Sequence, residues 1–218
     1  MRKQHIINLL IILVALSPVA FLYIVWESIP GTIITKFQFW DSGEKTQSRK
    51  EFLISVIVLS SLSAALYLLM RNLKKIDPKV KVTTPGSSFH KLGFIIILFF
   101  LVLNYFFILS AKNGWAVTTR TGVAFFGFLV ALIGNYMTSL KPNYFVGIRL
   151  PWTLNDPGNW KQTHQLAGKL WFAGGMVMIV FSFILPGTAL RLVSIGLLIA
   201  LVVIPGIYSY LAFRNKKN

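Results

Sequence analysis

The residues able to do chemistry gather in one stretch, Lys141 to Trp171, which reads KPNYFVGIRLPWTLNDPGNWKQTHQLAGKLW. It holds a guanidinium (Arg149), a carboxylate (Asp156), an imidazole (His164) and the indoles of Trp152, Trp160 and Trp171 among Gly and Pro residues. Arg149 is a permanent cation suited to a carboxylate or a phosphate. Its nearest acid in sequence is Asp156. One reading is therefore an Arg149–Asp156 ion pair that folds the loop; others are a lipid headgroup contact or an anionic group on a partner. His164 has no neighbouring carboxylate to orient it as a general base, so it is expected to hydrogen-bond within a helix.

Little else in the chain is reactive. There is no cysteine, which removes thiol chemistry, disulfides and Cys-based zinc sites. The three histidines, His5, His90 and His164, are too scattered for a metal cluster. No H-E-x-x-H, G-x-S-x-G or P-loop motif occurs, and no carboxylate pair is spaced for acid–base work. The expectation is a protein that binds rather than catalyses, without cofactor or metal.

The stretch has a local grammar. Asn143 to Pro151, with Gly147 inside, cannot be regular helix throughout, and Pro151 holds Leu150 extended. Asn155-Asp156-Pro157-Gly158 signals a turn. A helix is expected to start with Asn159 as its N-cap. Trp160, His164, Ala167 and Trp171 then share one face, with Thr163 and Lys169 flanking it. Trp152 and Trp160 are expected as interfacial anchors.

The elements around this stretch are apolar blocks. The 218 residues are 55% hydrophobic and 13% charged, and the mean hydropathy is +0.68. Such a chain lacks the charged surface of a soluble domain. Six runs approach the ~20 residues needed to cross a bilayer as helix: Ile6–Trp26, Phe52–Met70, Leu92–Ala111, Thr121–Leu140, Leu170–Pro186 and Leu192–Phe213. The fold class is therefore all-α, a polytopic membrane protein with six transmembrane helices. The first run follows Arg2 and Lys3 as a signal peptide would, but it is long and no small-x-small cleavage site appears, so a retained helix is expected.

Lys and Arg set the orientation. Fifteen of the 22 fall at the two ends and in the second and fourth links. That bias predicts cytoplasmic termini and a cytoplasmic stretch 141–169. The net charge of +16 is then explained by anionic lipid contact and topology rather than by direct nucleic-acid binding.

The runs divide into a two-helix membrane domain (1–75) with an external loop (27–51), a basic cytoplasmic linker (76–91) and a four-helix domain (92–218). Four of the six acids, Glu27, Asp41, Glu44 and Glu51, lie in or beside that external loop. Pro30-Gly31, Trp40 and Asp41-Ser42-Gly43 suit a hairpin, a loop or an outward recognition surface. Asn104 and Asn135 within the spans are expected to bond neighbouring helices, with a transport pathway as the alternative. Gly127 with Ala131, and Ser60 with Ala64, are spaced for close helix packing. Pro18 and Pro205 are candidate kinks.

Two phrases carry a resemblance. Gly147-Ile148-Arg149-x-Pro151-Trp152-Thr153-Leu154, then Trp160-Lys161-x-Thr163-His164-x-x-x-Gly168-Lys169, resemble the SdpI immunity-protein family of bacterial membrane proteins. The likeness runs from about Leu92 to the C-terminus. The first helix pair resembles a small domain of unknown function that commonly precedes it, through Ile29-Pro30 and Gly43; Phe37 or a neighbour stands where that domain usually has His. The resemblance implies a multi-pass protein of the bacterial plasma membrane that protects against a secreted peptide toxin. It also implies a signalling role, in which a small transcriptional repressor is held at the membrane. The residues expected to form the functional motif are Asn143, Gly147, Arg149, Pro151, Trp152, Thr153, Trp160, Thr163, His164, Gly168 and Lys169. A small transporter or channel, and a membrane enzyme with Arg149 on a phosphate and His164 as base, are the alternatives.

Overall fold

The computed structural model describes residues 2–35, 45–76 and 87–216. The expectations for Phe37, Trp40, Asp41, Gly43 and Glu44, and for most of the basic linker, fall outside them. The described elements are α1 (Arg2–Ile24), a 3-10 turn (Trp26–Ser28), β1 (Thr32–Thr35), β2 (Lys45–Ser48), α2 (Arg49–Ile76), α3 (Ser87–Asn113), α4 (Thr119–Met137), α5 (Pro151–Asn155), α6 (Pro157–Ile184) and α7 (Gly187–Asn215).

Six helices are long and apolar enough to cross a membrane: α1, α2, α3, α4, α6 and α7. They correspond to the six apolar runs. Their outer faces remain apolar because hydrocarbon, not water, surrounds them. Leu9 and Leu13 on α1 and Ile199 and Val202 on α7, all well exposed, are examples. The protein is a multi-pass cell-membrane protein. Within the link between α1 and α2, β1 and β2 form a two-stranded antiparallel hairpin, with Thr32 opposite Ser48. Ser48 and Glu51 cap α2 reciprocally: the Ser48 N–H donates to Glu51 Oε2 at 2.6 Å and the Glu51 N–H to Ser48 Oγ at 3.3 Å.

Two compact units divide the chain, one of residues 1–71 with 90–119 and one of residues 72–89 with 120–218. This partition differs from one drawn at the basic linker, because α3 from His90 onward packs with α1 and α2. In the first unit one cluster joins Leu22, Val25, Ile29, Phe52, Val56 and Ile108. A second joins Ala15, Ala64, Tyr67 and Ile97. Pro18 has no N–H to give the Val14 carbonyl, one turn back. Ser17 Oγ donates to that carbonyl at 2.7 Å, and Tyr105 on α3 donates to Ser17 Oγ at 3.1 Å.

The second unit is built on close backbone approach between α4 and α6. A Cβ added at Gly127 would lie 2.8 Å from the Gly175 carbonyl oxygen, and one at Gly168 2.8 Å from that of Gly134. Only small residues permit this, and dispersion over the close seam replaces the hydrophobic drive that lipid removes. Val123, Met178 and Leu190 fill the core beside the seam, and Leu185-Pro186 turns the chain from α6 into α7. Pro205 inside α7 leaves the Leu201 carbonyl without its helical partner. The Trp171 indole N–H on α6 donates to that oxygen at 2.8 Å.

Candidate functional site

The stretch between α4 and α6 is an irregular loop, Thr138 to Leu150, followed by the one-and-a-half-turn helix α5. Its backbone is closed by side chains. Asn143, fully buried, makes four hydrogen bonds within the loop. Its Oδ1 accepts from the Phe145 and Val146 N–H groups at 2.9 and 2.6 Å. Its Nδ2 donates to the Lys141 and Val146 carbonyls, each at 2.9 Å. That exhausts what an amide side chain can donate, so Asn143 acts as a local substitute for secondary structure.

Gly147 follows with φ +115°, a conformation that L side chains rarely adopt. A Cβ there would also collide with His164 Nε2 and sit 3.3 Å from the Trp160 ring. Pro151 opens α5 at its first turn, where a missing N–H costs nothing. Thr153 reaches back to the cap: its Oγ1 accepts from the Leu150 N–H and faces the Ile148 and Leu150 carbonyls, all at 2.9 Å.

The helix α6 begins three residues earlier than its sequence pattern suggested. Asp156, not Asn159, is the N-cap, its Oδ1 accepting from the Gly158 N–H at 2.8 Å. Pro157 takes the first helical position. The one-turn offset turns Asn159 inward, where it is 1% exposed. The expected Arg149–Asp156 pair is likewise replaced: Asp156 Oδ2 pairs with Lys216 Nζ at 2.6 Å. The Lys216 ammonium holds the Asp156 carboxyl below its usual range, with help from backbone N–H groups.

The inner face of α6 carries the rest of the motif. Trp160 is 1% exposed, and its Nε1–H donates at 2.9 Å to the carbonyl of Leu140, three residues past the end of α4. It is a core residue that ties the loop's two ends together, not the interfacial anchor its type suggests. His164 stacks on it, ring centroids 4.0 Å apart and planes 17° apart. Both imidazole nitrogens are engaged. Nδ1 faces the Trp160 carbonyl at 2.8 Å, and Nε2 accepts from the Ile148 N–H at 3.0 Å. A carbonyl only accepts and a backbone N–H only donates, so His164 is the neutral Nδ1–H tautomer. No lone pair remains for a base.

A second network was not visible in the spacing. Trp152 Nε1–H donates to Ser209 Oγ on α7 at 2.8 Å, and Ser209 Oγ–H donates to Asn159 Oδ1 at 2.7 Å. Thr163 Oγ1–H reaches the same oxygen at 3.0 Å, and Asn159 Nδ2 donates to the Ser209 carbonyl at 2.8 Å. Trp152 further packs against Tyr210 and Phe213, ring centroids at 5.4 and 5.8 Å. Asn159 and Ser209 are thus structural partners of the motif that sequence reasoning missed. The signal was a small polar residue, Ser209, inside a largely apolar run that holds one other serine, Ser194.

Of the motif residues, Asn143, Trp152, Thr153, Trp160, Thr163 and His164 are members of the two hydrogen-bonded networks, and Gly147 and Pro151 shape the backbone between them. Gly168 belongs to the α4–α6 seam, where a Cβ would come within 2.6 Å of Thr138 Cγ2. Arg149 and Lys169 are exposed, and among the described residues neither is given a hydrogen bond or ion pair. The assembly's unspent group is therefore the Arg149 guanidinium, carried between the two residues, Ile148 and Leu150, whose N–H groups His164 and Thr153 hold.

A family model described as the SdpI/YfhL protein family matches residues 139–209. The range ends on Ser209 and takes in both networks and the Trp171–Leu201 bond. The match is narrower than the resemblance from Leu92 onward, and it does not reach the first helix pair. Immunity protein SdpI of Bacillus subtilis (strain 168) is 32% identical over 89 residues, 41% of this chain and 42% of that protein. The chain thus spans less than half the length of that curated relative in the aligned part. No solved structure matches.

Proposed function

We propose that the protein is an SdpI-type immunity protein, protecting its cell from a secreted peptide toxin by binding rather than catalysis. The likeness to Immunity protein SdpI supports this reading, and the family match over residues 139–209 takes in the closed loop. Both termini and the motif loop lie in the cytoplasm in this proposal, following the Lys and Arg distribution. The toxin is met by the external links. On the cytoplasmic side Arg149 is offered to an anionic group, with anionic lipid around the other cations and a small transcriptional repressor as the signalling partner; no direct nucleic-acid contact is involved.

The single observation that carries the assignment of roles is the contrast within the motif. Every buried polar group in it is spent on the fold, whereas Arg149 is exposed and unspent. The motif then positions one cation, and recognition on that side depends on it. The test is survival of a toxin-sensitive cell expressing the chain. Wild type is expected to protect, and Arg149→Ala to insert and fold normally yet lose protection. Full protection by Arg149→Ala would remove Arg149 from the mechanism. No protection by folded wild-type protein would overturn the immunity reading.

A further inference from the structure

Four buried side-chain atoms in the first unit have no hydrogen-bond partner among the described residues: Arg49 Nε, Ser110 Oγ, Ser60 Oγ and Asn104 Oδ1. The last two, Ser60 Oγ and Asn104 Oδ1, belong to one level between the two apolar clusters. Their residues are 0% and 1% exposed. Asn104 spends its Nδ2 on the Phe100 carbonyl at 3.0 Å, which leaves Oδ1 as a pure acceptor. Ser60 Oγ can donate and accept.

Their positions coincide in height. Val56 on α2 and Ile108 on α3 share one apolar cluster. Ala64 on α2 and Ile97 on α3 share the other. Increasing numbers on α2 thus accompany decreasing numbers on α3, so the two helices run antiparallel. One turn on from Val56 is Ser60, and one turn back from Ile108 is Asn104. Both therefore occupy the layer between the clusters, on the faces that α2 and α3 bury. The α1 residue at this level is Pro18, midway between Ala15 and Leu22, buried and without an N–H. The Tyr105–Ser17 bond fixes the same height between α1 and α3. No backbone donor on α1 can reach across to satisfy Asn104 there.

We propose that a single water molecule is bound in this layer, donating to Asn104 Oδ1 and accepting from Ser60 Oγ–H. Two unpaired polar atoms facing one level among three helices supply the minimum set of partners a buried water needs. The apolar clusters above and below seal the site, so it is a structural water and not part of a solute path. It makes Asn104 the link between α3 and α2, through water instead of by a direct bond.

The test uses the full chain in lipid nanodiscs, with NMR contacts read between water and the Asn104 side-chain amide. A long-lived water contact is expected in wild type and is lost in Ser60→Ala, a variant that keeps the helix and its packing. In thermal unfolding, Ser60→Ala and Asn104→Leu are expected to be non-additive, the second substitution adding little once the water is gone. Absence of a water contact in folded wild type would overturn the proposal. So would additive effects, or a high-resolution structure with Ser60 Oγ bonded directly to Asn104 Oδ1.

Discussion

Replacing Gly147 by Ala separates two reasons for glycine that usually come together. The first is the backbone: at φ +115° a residue with a Cβ carries strain of about 1–3 kcal/mol. The second is space. The new methyl would be driven into His164 Nε2, and the ring cannot swing aside, because it is stacked on Trp160 at 4.0 Å and bonded at both nitrogens. Overpacking a filled site of this kind costs about 1–3 kcal/mol. The sum is about 4 kcal/mol at mid-range, close to a 1000-fold loss in the folding constant. Gly114 supplies the internal control. Its φ is +68° and a Cβ there would meet nothing within 4 Å. Gly114→Ala should therefore pay only the left-handed backbone cost of about 1–2 kcal/mol. Reversible unfolding in mixed micelles measures both. Adding His164→Ala to Gly147→Ala should return the steric part, so the pair is less damaging than the two singles combined. If Gly147→Ala costs no more than Gly114→Ala, the packing of the loop on His164 is not as described.

Three further outcomes are expected. Trp171→Phe should destabilise by about 1 kcal/mol through the orphaned Leu201 carbonyl, and the loss should shrink in a Pro205→Ala background that restores a helical donor; equal losses in both backgrounds would refute the pairing. Asn159→Leu should cost more than Ser209→Ala, because removing the amide strands Thr163 and Ser209 together, by about 1–3 kcal/mol for each unsatisfied group; unfolding midpoints decide the order. The lowered Asp156 pKa means the Asp156–Lys216 contact adds stability above the unfolded-state carboxyl pKa and loses it as pH falls through the lower folded value. Lys216→Ala should therefore flatten the acid limb of the stability–pH curve, and an unchanged limb would show that the contact does not stabilise the fold.

The six spans were legible because each is a long apolar block, and in lipid only helices can satisfy such backbones internally. The irregular loop was legible from Gly147, Pro151 and the Asn-Asp-Pro-Gly turn. Its interior was not. Asp156 and Asn159 are both good N-caps three residues apart, and the choice fell to Asp156 once Pro157 occupied the first helical position and Lys216 stabilised its carboxylate. That choice decides whether Asn159 faces out or in. Ser209 on α7 and Lys216 just past its end lie some fifty and sixty residues away in sequence, and periodicity within a local window carries no information about such partners. Trp160 was misplaced because an indole near a span end is commonly an anchor, whereas here the carbonyl of Leu140, in the loop just past α4, gives it an internal partner.

A sequence phrase can persist because it is recognised by something or because it folds something, and the structure distinguishes the two for each residue. Gly147 is dictated by φ and by His164; His164 by the Ile148 N–H and the Trp160 carbonyl; Trp160 by the Leu140 carbonyl; Thr153 by the cap of α5; Trp152 and Thr163 by Ser209 and Asn159. None of these side chains has a polar atom left over for a partner. Arg149 lies in the middle of the phrase and is dictated by none of these contacts. In the proposed orientation the loop is cytoplasmic and does not itself meet a toxin arriving from outside. It can, however, report on the helices whose ends it joins, since Leu140 closes the α4 end, α6 grows from its turn, and Ser209 ties it to α7. Any shift of α4, α6 and α7 against one another must break a buried hydrogen bond or move Arg149. That is a physical route from helix packing to a charged group in the loop, and it makes the interior of the loop as necessary to the proposed function as the residue it presents.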